Sequence, residues 1–360
     1  MSEKSLLQLR DEIDGIDRQI HELLNRRADC AQQVAVAKRR DDATALFYRP
    51  EREAQVLRAL AERNCGPLAD NTVARLFREI MSACLALEQP MTVAYLGPEG
   101  TFTQAAVVKQ FGHAVASRPL AEIHEVFREV ESGRAAYGLV PVENSIGGMV
   151  THTLDLFVNS SLHVCGEVVI RIHQQLLSRA DQLSEIKRIY SHQQSLMQCR
   201  DWLNHNLPKV ERIEVSSNAE AAKLAAAETG SAAIASESAA ELYELPIVKA
   251  NIEDNDDNST RFLVIGDHQV PASGKDKTSL LVSTADRPGA LFELLQPLAK
   301  AGLSMSRIES RPSGDGLWKY LFFIDLQGHP EDEAVQPVLA QLQSEAALFR
   351  ILGGYPQAVL

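Results

Sequence analysis

The stretch Asp257-Asn258-Ser259-Thr260-Arg261-Phe262 sets a hydroxyl beside a guanidinium, between an acidic run (Glu253, Asp254, Asp256, Asp257) and an apolar segment, Phe262 to Ile265, that ends at Gly266. Thr260 could donate a hydrogen bond or a proton to a leaving oxygen, and Arg261 could clamp a carboxylate with two parallel bonds. The same pair also suits an ordinary turn beside a solvated arginine. A second group lies near the N-terminus. Arg27 interrupts an apolar series, and Lys38 follows eleven residues later, about three helical turns, so both point the same way. A cation on an apolar seam is costly unless an anion meets it. Arg52 and Glu53 come next, then Cys84 and Glu88 one turn apart. Here too there is a plainer account: a solvated coiled-coil face, or an internal ion pair to Glu53.

These groups need elements to hold them. From Leu6 the apolar residues step by threes and fours (Leu9, Ile13, Ile16, Ile20, Leu23), with no Pro and only Gly15 before about Arg40. That heptad seam predicts one helix of some 35 residues, ~52 Å long at ~1.5 Å per residue. It is too long for a compact 90-residue monomer, so it predicts an intertwined dimer. After Pro90 the pattern changes to short apolar strands that each end in a polar turn and run into a helix. The turns are Gly97 to Phe102, Glu143-Asn144-Ser145, Ser191 to Ser195, Ser216-Ser217-Asn218 and Ser236. Such units predict parallel sheets covered by helices, in two lobes of about 92–168 and 170–250, with the chain returning at Thr260 to Ile265 and a ligand cleft between the lobes. Each turn opens a helix N-terminus. Ser and Thr there are usually caps, but several converging on one cleft would suit a ligand with more than one carboxylate. Pro271 to Lys277 reads as a linker, and the strands and helices after it follow a βαββαβ order, a ferredoxin-like sandwich.

The 360 residues are 45% hydrophobic and 23% charged, with a formal charge of −12, an ordinary globular composition for two or three domains. Residues 1–90 carry 14 basic against 15 acidic side chains, so most of the negative charge lies beyond them. A nucleic-acid partner is not expected of such a chain. Five cysteines without a C-x-x-C pair, and no signal peptide or bilayer-spanning run, predict free thiols in a reducing cytoplasm and no membrane. Metal and nucleotide motifs are missing, and no cofactor is indicated.

Residues 1–90 resemble the all-helical chorismate mutase family. The resemblance implies that Arg10 from a partner subunit, with Arg27, Lys38 and Arg52, surrounds a dicarboxylate, and that Glu53 holds the substrate hydroxyl. Cys84 and Glu88 stand where one branch of that family has a hydroxyl and a glutamine, and Arg49 where it has an acid. A glutamate can donate to the ether oxygen only when protonated.

Residues 91–270 resemble the prephenate dehydratase family through four strings in order: GPEGTF (Gly97 to Phe102), VPVENS (Val140 to Ser145), YSHQQ (Tyr190 to Gln194) and NSTRF (Asn258 to Phe262). Gln193 stands where that family usually has proline. The resemblance implies a two-lobed α/β domain like the periplasmic binding proteins. It makes Thr260 the helper of the leaving hydroxyl and gives Arg261 either a carboxylate or the loop to hold. Asn144 and Gln194 would position the ring or its side chain, and Ser191 and Thr101 would act as N-terminal donors. His192 reads as structural.

Residues 277–360 resemble the ACT domain through GALF (Gly289 to Phe292) and ESRP (Glu309 to Pro312). This implies a phenylalanine site at a subunit interface, with backbone groups of Gly289, Ala290 and Leu291, supported by Glu309, Ser310 and Arg311. Removing residues 271–360 is then expected to spare turnover and abolish the phenylalanine response. The expected whole is a multidomain homodimer or higher oligomer that rearranges chorismate to prephenate and converts prephenate to phenylpyruvate. Two rivals remain: a dehydratase whose helices mainly dimerise, and a non-catalytic two-lobed sensor of aromatic ligands.

Overall fold

The computed structural model describes residues 4–41, 46–284, 287–312 and 320–359. Three helices come first: α1 (Leu6–Asp41), α2 (Pro50–Arg63) and α3 (Asp70–Glu88). α1 runs for 36 residues and buries only Ala35. Leu6, Leu9, Ile13, Ile16, Ile20 and Leu23 are each at least 43% exposed, so the seam is bare in one chain. Pro50 starts α2, where a missing N–H costs nothing, and Ala54 and Leu57 turn inward.

The next region contains β1 (Thr92–Leu96), α4 (Phe102–Phe111), β2 (Ala116–Leu120), α5 (Ile123–Glu131), β3 (Tyr137–Asn144), β4 (Gly148–Met149), α6 (Thr151–Asn159) and β5 (His163–Arg171). A second lobe follows: β6 (Gln175–Ser178), β7 (Arg188–Ser191), α7 (Gln193–Gln198), α8 (Arg200–Asn206), β8 (Glu211–Glu214), α9 (Asn218–Ala227), β9 (Ser231–Ala235), α10 (Glu237–Leu242) and β10 (Ile247–Lys249). β11 (Ser259–Gly266) then returns to the first sheet, whose order is β2-β1-β3-β11-β5, while the second is β10-β6-β9-β7-β8. The sheets are mixed rather than purely parallel. β11 runs antiparallel to both β3 and β5, because the chain comes back from the other lobe without a crossover helix. The two connecting segments pair with each other: Ile172 N–H donates to Asn258 O at 2.8 Å and Ile252 N–H to Gln174 O at 2.9 Å.

The last module is β12 (Asp276–Ser283), α11 (Ala290–Lys300), β13 (Met305–Pro312), β14 (Tyr320–Gln327), α12 (Gln336–Glu345) and β15 (Leu348–Pro356), in sheet order β13-β14-β12-β15. The pleat sends alternate side chains to opposite faces. Leu280, Val282, Ile324 and Leu326 pack under α11 and α12. Leu281, Leu321, Phe323 and Tyr355 face the other way and share one core with Val140, Leu263 and Ile265 of the first lobe. The module is therefore no removable appendage. Cutting at 271 would uncover part of the dehydratase-like core, so the truncated chain is expected to lose stability, whatever turnover it keeps.

The segment read as a linker is a pinned turn. Asp276 is buried and accepts from Ser273 N and Gly274 N at 2.8 and 2.9 Å. Arg58 of α2 donates to Ser273 O and Lys275 O at 3.1 and 2.8 Å.

Arg261 also departs from the carboxylate-clamp option. Its neighbour Thr260 points to one face of β11, so Arg261 points to the other, against the last sheet. There its guanidinium bonds Glu167 at 2.8 Å, Asp325 at 2.6 Å and Tyr355 Oη at 2.9 Å, with only 11% of the side chain exposed. Arg261 is a brace between modules. Burial works against the Asp325 carboxylate, but Arg261 and Arg307 hold it below the usual range. Arg261→Met should leave Glu167 and Asp325 under-compensated and destabilise the fold by about 3–5 kcal/mol. A urea midpoint equal to wild type would contradict this.

Candidate active sites

In the helical module, α1, α2 and α3 enclose a cavity of about 380 Å³ whose lining includes Arg27, Lys38, Arg52, Glu53, Cys84 and Glu88. Helical spacing explains the convergence: Arg27 and Lys38 lie on one stripe of α1, Arg52 and Glu53 open α2, and Cys84 and Glu88 share one turn of α3. Arg49 lines it too. Lys38 Nζ is steered by Leu46 O at 3.1 Å and Phe47 O at 3.4 Å. Arg27 keeps an exposed flank and reaches Ile80 O at 3.5 Å. Arg10 stands 17 residues earlier on the same straight helix, about 25 Å away at ~1.5 Å per residue, so it does not join this cavity within one chain.

Two carboxyls here are pushed toward neutrality. Burial raises Glu53 to about 7, with Arg78 opposing the shift from 3.3 Å. Burial also raises Glu88, against Lys38, Arg27 and Arg39. The internal ion pair weighed for Glu53 exists, with Arg78, a residue that spacing did not single out.

The second site lies where the lobes meet. Asn144 Oδ1 accepts from Ile146 N at 3.1 Å and Gly147 N at 2.6 Å, which fixes the amide orientation because those groups only donate. Its Nδ2 therefore donates, to Asn258 Oδ1 at 2.8 Å and Thr260 Oγ1 at 2.9 Å. Since Thr260 accepts from Asn144, its own proton is free to point elsewhere. Gln194 comes from the opposite lobe. A Cβ on Gly147 would sit 2.5 Å from Gln194 Nε2, so a side chain there would displace the Gln194 amide that reaches across from the other lobe. On the same seam Ser236 Oγ donates to Gly100 O at 2.8 Å.

Two expected donors are otherwise engaged. Thr101 caps α4, accepting from Gln104 N and donating to Pro98 O at 3.0 Å. Ser191 is fully buried and bonded to Asn218 Oδ1 and Ile234 O, both at 3.0 Å, because its side chain turns under the β7–α7 junction. Neither hydroxyl proton is spare in this arrangement, so a ligand that took a bond from either would have to displace these partners. His192 Nδ1 caps α7, accepting from Gln194 N. Asn258 was passed over in the sequence although it sits within NSTRF. It is fully buried, holds Asn144, and leaves its own Nδ2 without a partner.

In the last module Gly289 adopts φ +82° at the start of α11, a left-handed conformation that favours glycine, and Ala290 and Leu291 form its first turn. Glu309, Ser310 and Arg311 lie on edge strand β13. Arg311 is tied to Asp155 of α6 by bonds of 3.0 and 2.8 Å.

Family models match these three regions: Chorismate mutase type II over residues 9–89, Prephenate dehydratase over 93–270 and ACT domain over 278–343. A bifunctional chorismate mutase/prephenate dehydratase of Pseudomonas aeruginosa is 54% identical over 356 residues, 98% of both chains. The chain belongs to the bifunctional chorismate mutase/prephenate dehydratase family. The Escherichia coli member is 32% identical across 99% of this chain and 97% of its own. Among solved structures, a prephenate dehydratase of Arthrobacter aurescens in complex with L-Phe is 36% identical, with a TM-score of 0.69, covering 74% of this chain and 90% of that one. A protein described as a novel type of quorum quenching acylase, GqqA, is 28% identical with a TM-score of 0.68, covering 74% and 98%. Within the family frame, the α1–α3 cavity belongs to the mutase module and the Thr260–Asn144 cluster to the dehydratase module.

Proposed function

We propose that the chain rearranges chorismate to prephenate in the helical cavity and converts prephenate to phenylpyruvate between the two lobes, with phenylalanine binding at the ACT module as a brake. The observation that carries this is the meeting of Arg27, Lys38, Arg52, Glu53 and Glu88, from three helices, around one cavity sized for a small ring acid.

Chorismate carries two carboxylates, a ring hydroxyl and an enol ether. Arg27, Lys38 and Arg52 hold the anions, the Glu53 carboxylate accepts from the hydroxyl, and protonated Glu88 donates to the ether oxygen as charge builds there. No covalent bond to the protein forms, so positioning and pre-set charge do the work. The rate then needs Glu53 ionised and Glu88 protonated. The kcat/KM profile for chorismate should be bell-shaped, and Glu88→Gln should remove its alkaline limb. A Glu88→Gln chain with the wild-type profile would sink this role.

In the second step the bond from the ring to its carboxylate breaks, the electrons enter the ring, and the ring hydroxyl departs. CO2 is released, Thr260 Oγ–H donates a hydrogen bond to the departing oxygen while Asn144 holds the threonine hydroxyl from behind, and the departing hydroxide takes up a solvent proton to leave as water. Aromatisation drives the step, so no base is required. Gln194 positions the side chain from the other lobe, and Gly100 and Ser236 hold the lobes together.

A second copy of the chain completes the assembly. It would cover the bare seam of α1 and bring Arg10 into its partner's cavity. Phenylalanine at Gly289–Leu291 and Glu309–Arg311 draws support from the relative's complex with L-Phe. A cytoplasmic site of action is proposed from the free thiols; among the described residues no helix is long and apolar enough to cross a membrane.

The test is to supply chorismate to the purified chain and follow prephenate and phenylpyruvate. Loss of chorismate with phenylpyruvate as product is expected. Turnover of prephenate but not chorismate would reduce the helices to a dimerising arm.

A further inference from the structure

Behind the mutase cavity lies a smaller pocket that shares Glu53 with it and is bounded by Arg78, Glu167, Ala358 and Val359. Two of these residues come from the far end of the chain. After β15, Gln357 N donates to Lys275 O at 3.0 Å, and its side chain reaches Asp276 O at 3.1 Å. Ala358 N donates to Glu167 Oε1 at 3.0 Å. Glu167 is itself fixed by Lys277 at 2.8 and 2.9 Å and by Arg261 at 2.8 Å. β15 can reach this place because it lies flat on β5: a Cβ on Gly353 would fall 2.2 Å from Val164 O. Held in this way, Val359 O accepts from Arg78 Nη2 at 3.2 Å, while Arg78 Nε faces Glu53 Oε1 at 3.3 Å.

We propose that the C-terminal tail is a working part of the mutase site: the Ala358–Val359 backbone fixes Arg78, and Arg78 fixes Glu53. The proposal rests on the mutase reading of the helical cavity. Arg78 is 8% exposed and does not line that cavity, so it acts on Glu53 from behind and is a positioning residue. Its planar fork suits the task, one edge toward the carboxylate and the other toward the tail carbonyl. The other charged or titratable groups around Glu53 are Arg49, Glu51 and Arg52 at the start of its own helix, Tyr48 just before it, Arg27 and Lys38 across the cavity on α1, Glu88 on α3, and Glu167 behind on β5. Among these Arg78 is the cation that keeps Glu53 from rising above about 7. Loosening Arg78 should misplace the Glu53 carboxylate and favour its protonated form, which cannot accept from the substrate hydroxyl through that oxygen.

The test uses the full chain, a chain lacking residues 358–360, and Arg78→Lys, with both activities measured on each. The deletion leaves the Arg78–Glu53 pair present but unfastened. It should lower mutase kcat/KM about tenfold at pH 7 and move the acid limb of the mutase profile upward. Prephenate turnover should stay within about twofold. Arg78→Lys keeps the charge but cannot span both partners, and should move the same limb the same way. An active wild type whose two variants keep its mutase rate and profile would overturn this proposal alone. So would a deletion that lowers both activities in step together with a wild-type profile in Arg78→Lys. A wild type inert toward chorismate would overturn the mutase reading and this proposal with it.

Discussion

Thr260→Ala is expected to lower prephenate turnover by about a hundredfold to ten-thousandfold, the range for losing a positioned proton donor, while the mutase rate stays within about twofold. The selectivity follows from the structure. Thr260 stands at the mouth of β11, away from the three helices, and its loss leaves Asn144 with Asn258 Oδ1 and Ser259 O as acceptors. The loop therefore keeps its shape and only the cleft-facing proton disappears. Steady-state rates on prephenate and on chorismate measure both arms. Retained prephenate turnover would mean that the leaving oxygen is served by another group.

The mirror experiment is Arg27→Ala. Removing one pre-set charge from the developing transition state should cost the mutase about a hundredfold to a thousandfold, with prephenate turnover unchanged. Arg27 makes one long bond, 3.5 Å to Ile80 O, and sits on an exposed flank of α1, so its loss should hardly disturb the fold. A mutase rate within threefold of wild type would remove Arg27 from the anion site.

The two sites were unequally legible in the sequence. The stripe that carries Arg27 and Lys38 was readable from helical periodicity, while the anion they would face was implied by the family resemblance. Cys84 and Glu88 followed from the same rule. Arg78 was not readable. Its partners are Glu53, 25 residues earlier on the preceding helix, and Val359, 281 residues later, and no local pattern joins residues so distant. Thr260 and Asn144 sit in strings that mark them, but their neighbours misled. Arg261 follows Thr260 in the chain and yet faces the opposite side of the strand, where Glu167 and Asp325 wait, and strand alternation could have warned of this. Ser191 and Thr101 looked like donors at helix starts. The first is turned inward and the second is an ordinary cap, a distinction set by side-chain direction rather than by residue type. β5 escaped because Gly166 and Glu167 break its apolar run. The buried acid makes sense only once Lys277, Arg261 and the tail are packed against it. The same packing turned an apparent linker at 271–277 into an ordered clamp and an apparent add-on module into part of the first lobe's core.

The central claim is that one chain holds two separate sites for small ring acids, each with its own charged or hydroxyl donors. The most direct measurement mixes purified Arg27→Ala and Thr260→Ala proteins and supplies chorismate. Alone, the first should leave chorismate largely unconsumed and the second should accumulate prephenate. Together they should restore phenylpyruvate formation. A mixture that yields none, or a single variant that loses both activities while remaining folded, would contradict the account.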